Sequence, residues 1–438
     1  MLAVSEHCTA AVAKGGELYT WGHDSDDDCG QGSCGRLGHS FGKDVNVPTK
    51  VTGGLVGAHV VSVALGHRHG AAVTTDGQVF TWGMGLRNTS GSVIPALVGG
   101  ALTGRRVISV SAAEGFTVAL TDVGKIWAWG ASKHGTLGLG TINMTDIPTC
   151  VEGELIGKHV VCVTASSSHT LAVTSKGEVF SWGMGYNGCL GHGNVQHKLV
   201  PTCVEGDLKG LSVVAVSAED CHSAAVTKEG KLFFWGASYD HTLTSDSEES
   251  MTLIPTLVEG ALADKRVISV SVESHHMAAV TKTGECYIWG SGAWGRLGLG
   301  EVEDRFSPTL VRGALRGQHV VEVTAGKMHS AVVTLEGNIY TWGGGKAEEV
   351  REFHFHSDLC KLGHGLIDDT EWSYRPRLVS QGWFVDRSRF RACNGCGSTI
   401  DVKRCKCLKV FFCSKRCQED AWPTHKLACK ATREVAKS

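Results

Sequence analysis

Proline is scarce in this chain, with eight residues in 438, so each one marks a position rather than a tract. No apolar run reaches the 18 residues that would suggest a membrane-spanning helix. The opening stretch, MLAVSEHCTAAVAKGG, has no basic start and is broken by Glu6 and His7, so a secretory leader is not expected. Helical periodicity is almost absent. No Ser-His-Asp pattern, P-loop or His-Glu-x-x-His motif appears, which removes the commonest sequence signatures of hydrolases and nucleotide-binding enzymes. The net charge is only -2 and 42% of residues are hydrophobic, a balance unlike disordered or collagenous chains. The expectation is a globular intracellular protein of cytoplasm or nucleus.

Glycine, by contrast, is plentiful at 57 residues, and the chain repeats itself. Trp-Gly recurs at Trp21, Trp82, Trp129, Trp182, Trp235, Trp289 and Trp342, with spacings of 61, 47, 53, 53, 54 and 53. Seven prolines keep register with them: Pro48, Pro95, Pro148, Pro201, Pro255, Pro308 and Pro376. From each of the first six to the next Trp the distance is always 34, whereas from each Trp to the next Pro it runs from 13 to 34. Length change is thus confined to one connection per repeat, as expected of surface loops gathered on one side. Each unit holds four short runs rich in Val, Phe, Trp and Thr, such as PTCVEG, HVVCVTAS, HTLAVTS and GEVFSWG. Four short strands per repeat, repeated seven times, predict an all-β, seven-bladed propeller. The prolines are expected to open the first strand of each unit. The first repeat starts short of a full unit and RPRLV, at 375–379, has no Trp-Gly after it. The expectation is therefore that this C-terminal strand completes the N-terminal blade and closes the ring over residues 1–385.

The pattern VVxVxxGxxHxxAVTxxGxxxxWG, followed by GxLGLG and PTLV, resembles the regulator of chromosome condensation repeat, over about residues 1–380. That resemblance implies a seven-bladed propeller, and either a protein-binding platform or guanine-nucleotide exchange on a Ran-like small GTPase. The Gly-x-Leu-Gly turn stands at Gly35, Gly135, Gly188 and Gly295 and as CKLG after Cys360, but the second and fifth repeats lack it. Insertions occur in the first repeat (HDSDDDCGQGSC) and the seventh (KAEEVREFHFHSDLC). Neither resembles the exchange wedge of the family's founding member.

Seven of the 17 cysteines crowd between Cys393 and Cys429. Cys393, Cys396, Cys405, Cys407, Cys413, Cys417, His425 and Cys429 are eight soft donors, enough for two tetrahedral zinc ions. A disulfide framework is the alternative, and the odd count of seven weighs against it. The segment, with FFCSKRCQEDAWPTHKLAC as its closest part, resembles a MYND-type zinc finger and defines a second domain, 386–438. The resemblance implies interleaved sites: Cys393, Cys396, Cys413 and Cys417 on one zinc, and Cys405, Cys407, His425 and Cys429 on the other. Cys405 and Cys407 are one residue apart where the family has two. The family further implies binding of proline-containing peptides, with Gln418 and Trp422 at the groove. From Asp386 onward there are 13 Lys/Arg against 5 Asp/Glu, a net of +8, leaving -10 on the propeller. Thin aromatic interleaving and an acidic propeller argue against nucleic acid.

Three signals are discounted. Gly183, Gly185 and Gly188, and likewise Gly290, Gly292 and Gly295, match a dinucleotide fingerprint but recur with the Trp-Gly repeat rather than opening a helix. His69, His169, His222, His276 and His329 stand in register, with Phe116 in the same slot, which points to a structural bond to blade backbone. The segment holding His354, His356, Cys360 and His364 has donors enough for a metal, yet such loops are usually only solvated. The resulting expectation is a non-enzymatic, zinc-binding protein-interaction adaptor. Guanine-nucleotide exchange is the main alternative and a transcription cofactor the third reading.

Overall fold

The computed structural model describes residues 1–24, 34–40, 42–84, 92–237, 251–344, 362, 373–379, 403–404 and 411–412. The chain divides into two compact units, Met1–Val385 and Asp386–Ser438. In the second unit the described residues are two short strands, with Lys403 opposite Phe412 and Arg404 opposite Phe411.

The first unit contains seven antiparallel sheets of four strands each, a seven-bladed propeller. Blade 4 shows how the repeat builds one. Val160–Ala165 lies innermost and mixes buried with half-buried residues. His169–Thr174 is buried throughout, as is Val179–Gly183, because both are sandwiched between neighbouring sheets. Lys198–Cys203 is the outer edge and is largely solvated. The edge strand bulges: Ser181 faces Thr202 but Gly183 faces Lys198, so three residues including Pro201 lie opposite Trp182. A proline costs such an edge little, since its missing N–H would find no partner there.

Six of the register prolines therefore sit in the fourth strand of one blade and Pro95 immediately precedes that strand, not at the opening of the first strand of the next blade. This moves the blade boundary relative to the sequence repeat and changes the closure. Ser373–Leu378 pairs with Ile339–Gly343 and is the edge of blade 7. Blade 1 is complete without it, built from Leu2–Val4, Cys8–Val12, Leu18–Gly22 and Val45–Lys50. The expected strand exchange between the termini does not occur. A 34-residue unit counted from proline to tryptophan spans the edge of one blade and the three inner strands of the next, so both ends appear incomplete although each blade is whole.

Adjacent blades are joined by apolar clusters and by a polar latch. One cluster joins Val118, Leu120 and Ile126 of blade 3 to Ala172, Phe180 and Trp182 of blade 4. Four of the five register histidines form the latch, each reaching a hydroxyl of the following blade rather than backbone; opposite His222 the equivalent residue is Met277. His69 Nε2 lies 2.9 Å from Thr117 Oγ1, His169 Nε2 2.7 Å from Ser223 Oγ, and His276 Nε2 2.7 Å from Ser330 Oγ. His329 of blade 7 lies 3.1 Å from Thr9 of blade 1, so the ring closes with the contact it uses elsewhere. The hydroxyls donate onward: Ser223 to Cys189 O at 2.8 Å and Ser330 to Arg296 O at 2.9 Å. The repeat tryptophans converge on the same carbonyls, Trp235 Nε1 on Cys189 O and Trp342 Nε1 on Arg296 O, both at 2.9 Å. Trp182 does the same with Thr136 O at 2.9 Å. Each acceptor belongs to the Gly-x-Leu-Gly turn of the preceding blade, which explains why that turn and Trp-Gly recur together.

Candidate functional site

Antiparallel order places two sets of connections on one face: those between first and second strands, and the length-variable ones between third and fourth strands. The first set is short and surrounds the central channel. It carries Ser5, Glu6 and His7; Gly66, His67 and Arg68; Glu114; Ser166 to Ser168; Asp220 and Cys221; Glu273 to His275; and Lys327 with Met328. These residues immediately precede the latch position, and they change from blade to blade while the flanking strands repeat. Sequence reasoning passed over them. The available signal was unlike charge in a slot whose frame is constant.

The channel mouth is a coupled set of charges. Glu6 lies between blades 7 and 2, with Lys327 Nζ 2.6 Å from Oε1 and His67 Nδ1 3.3 Å from Oε2. Burial is the largest single influence on Glu6 and acts to raise it. The hydrogen bond from His67, the neighbouring His7 and the Lys327 ammonium outweigh burial and hold the carboxyl well below its usual range. On the far side, burial followed by the charges of Glu273 and Asp220 pushes Glu219 well above the usual carboxylate range. Burial likewise raises Glu273, against the opposing pull of His275 and Arg296. Asp220 adopts a left-handed backbone, φ 46°, a conformation Asp tolerates better than most residues.

Around this mouth the longer connections expose apolar side chains. Ile142 is 65% exposed, Tyr186 53% and Val302 50%. The Tyr186 ring lies 4.6 Å from His197, which lies 4.7 Å from His134. The mouth is thus charged, and the connections around it carry exposed apolar and aromatic groups. The dinucleotide look-alikes belong to the same connections: Gly185 precedes the three-residue turn Tyr186–Gly188 and Gly188 ends it. That turn is too short to present a phosphate site, so discounting the motif is correct.

The eight proposed zinc donors, Gln418, Trp422, the 346–360 insertion and the histidines at 354, 356 and 364 lie outside the described residues. The chemistry of the finger's donor set, seven thiols and an imidazole, suits zinc. No helix among the described residues is long and apolar enough to cross a membrane.

Comparison with known proteins bears on both units. A family model for the RCC1-like domain matches residues 28–400, and one for the MYND finger matches 393–429. Over 215 residues the chain is 37% identical to the E3 ubiquitin-protein ligase HERC2 of Mus musculus, covering 48% of this chain and 4% of that protein. It is 31% identical over 342 residues to the ultraviolet-B receptor UVR8 of Arabidopsis thaliana, covering 78% of this chain and 64% of the receptor. The chain thus spans less than two thirds of either relative. Among solved structures, Prp20p of Saccharomyces cerevisiae, studied for binding to Gsp1p and histones, superposes with a TM-score of 0.67 at 21% identity. The match covers 83% of this chain and 86% of Prp20p. Human WBSCR16 gives a TM-score of 0.65 at 24% identity, covering 77% and 84%. At these identities the two structures show a shared fold. With seven four-stranded blades and a family model covering most of its length, the chain belongs to the RCC1-like propeller family and carries a MYND finger, a zinc-binding module, C-terminal to the propeller.

Proposed function

We propose that the protein is a non-enzymatic adaptor in which the loop face of the propeller binds one protein and the finger binds a peptide of another. The observation that carries this reading is the loop face itself. It joins a charged channel mouth to exposed Ile142, Tyr186 and Val302, on the connections whose length varies most between blades. In this reading Cys393, Cys396, Cys413 and Cys417 hold one zinc, and Cys405, Cys407, His425 and Cys429 a second. Gln418 and Trp422 contact a proline-containing peptide. Two modest sites on one chain raise effective affinity for a partner pair without any new contact.

The test is binding of proline-containing peptides to the full chain, with Trp422→Ala and with zinc removed. Loss in both cases, with the propeller still folded, supports the reading; unchanged binding removes the finger from it. Replacing 346–360 by a short turn should abolish one propeller partner without unfolding the ring. Guanine-nucleotide exchange is the second reading, favoured by the propeller shared with Prp20p. Release of labelled GDP from Ran decides it: strong acceleration by the full-length, zinc-loaded chain would make the loop face catalytic and overturn the adaptor. The compartment of action, cytoplasm or nucleus, belongs to this reading and follows the partners.

A further inference from the structure

Among the described residues, Glu6, His7 and His67 place a carboxylate oxygen and two imidazole nitrogens within 4.8 Å of one another. We propose that these three residues form a divalent transition-metal site, of the zinc or cobalt class, at the mouth of the propeller channel. The site is separate from the finger and does not depend on the adaptor reading.

The geometry is that of donors around one small ion. His67 Nδ1 lies 3.3 Å from Glu6 Oε2 and His7 Nε2 lies 3.7 Å from the same oxygen. Ligands about 2.1 Å from a tetrahedral ion stand roughly 3.4 Å apart, so an ion fits between the three with small side-chain adjustments. All three side chains are half-buried, neither sealed in the core nor free in solvent.

Each donor is held by the fold. Glu6 and His7 follow the first strand of blade 1, and His67 occupies the equivalent connection of blade 2, with the two rings edge-on and their centroids 5.1 Å apart. Lys327 bonds Oε1 of Glu6, which leaves Oε2 turned toward the imidazoles. This is the orienting role that outer partners of metal-bound carboxylates perform.

The donor set selects the metal. Two imidazoles and one carboxylate suit zinc, cobalt or nickel, whereas calcium and magnesium favour oxygen throughout. Three protein ligands leave a fourth position for water or for a side chain of a bound protein.

The test uses the full chain with its finger already loaded with zinc. Cobalt is added at neutral pH and bound metal is counted after equilibrium dialysis. The wild type should take up one equivalent more than His7→Ala/His67→Ala, with weak visible bands of nitrogen and oxygen ligation. Those bands separate this site from cobalt exchanging into the thiolate finger, which absorbs intensely in the near ultraviolet. Glu6→Gln, close in volume to Glu6, should weaken uptake at least tenfold. If the double variant does not fold, Glu6→Gln and His67→Gln carry the same comparison. Equal stoichiometry and affinity in wild type and variants, or cobalt signals from thiolate alone, would overturn the proposal. In that case the three residues form only an ion-paired cluster with Lys327.

Discussion

His169 carries the ring's polar latch in its simplest form. Its Nε2 meets Ser223 Oγ, whose own proton goes to Cys189 O, so Nε2 is the protonated nitrogen. Ser166 Oγ stands 2.9 Å from Nδ1. The imidazole is therefore neutral and satisfied on both sides, and burial holds its pKa at about 4 against an ordinary 6.5. Ser223→Ala removes one hydroxyl that serves both a histidine and a carbonyl. It should cost about 1–3 kcal/mol, read as a lower urea midpoint with an unchanged slope. A base whose folded pKa is depressed stabilises fully above its unfolded value, and the stability is lost as pH falls from about 6.5 toward about 4. From pH 7 to 5 the loss at His169 amounts to about 2 kcal/mol. Glu219 and Glu273, with raised pKa values, act in the opposite direction, so total stability does not isolate the histidine. His169→Phe does, since the ring already accepts Phe116 in the equivalent slot. The stability difference between wild type and this variant should shrink by that amount between pH 7 and 5.

At the scale of the element, the Gly-x-Leu-Gly turn and the next blade's tryptophan form one unit. Gly138 has φ +72°, and a Cβ there would lie 2.6 Å from Trp182 Nε1. Gly157 has a similar φ of +77° but nothing within 4 Å. Gly157→Ala should cost only the left-handed backbone, about 1–2 kcal/mol. Gly138→Ala should cost distinctly more, because it also displaces the indole from Thr136 O. Urea denaturation followed by tryptophan fluorescence distinguishes the two. The turn itself was legible from spacing, but its partner was not, since Thr136 and Trp182 are 46 residues apart. The histidine register was legible in the same way, whereas the latch acceptor was not. Ser223 reads as an ordinary strand serine until blade 5 is packed against blade 4.

At the scale of the whole molecule, two units of different physical origin share one chain. The propeller buries apolar clusters between sheets and closes by lateral contact of blades 7 and 1, including His329 with Thr9. The finger is too small for a comparable core, so its folding free energy comes largely from metal binding. Strong chelation should therefore expose residues 386–438 to protease while leaving the propeller's thermal transition in place. Metal analysis before chelation should give two zinc ions from the finger, and one zinc would remove the Cys405 and Cys407 site. Loss of both units together would mean that the propeller depends on the finger.

The number of blades, the all-β class, the position of the variable loops and the soft donor set were all determined by the sequence, because each follows from local periodicity or from residue chemistry at short spacing. Three matters were decided only by tertiary structure. The first is which strand ends each blade: pairing across a Trp-to-Pro spacing of 13 to 34 residues carries no local signature, and the repeat reads equally well in either phase. The second is the role of the register histidines, whose partners belong to the neighbouring sheet. The third is the charged channel mouth, where Glu6, His67 and Lys327 come from blades 1, 2 and 7 and meet only when the ring closes.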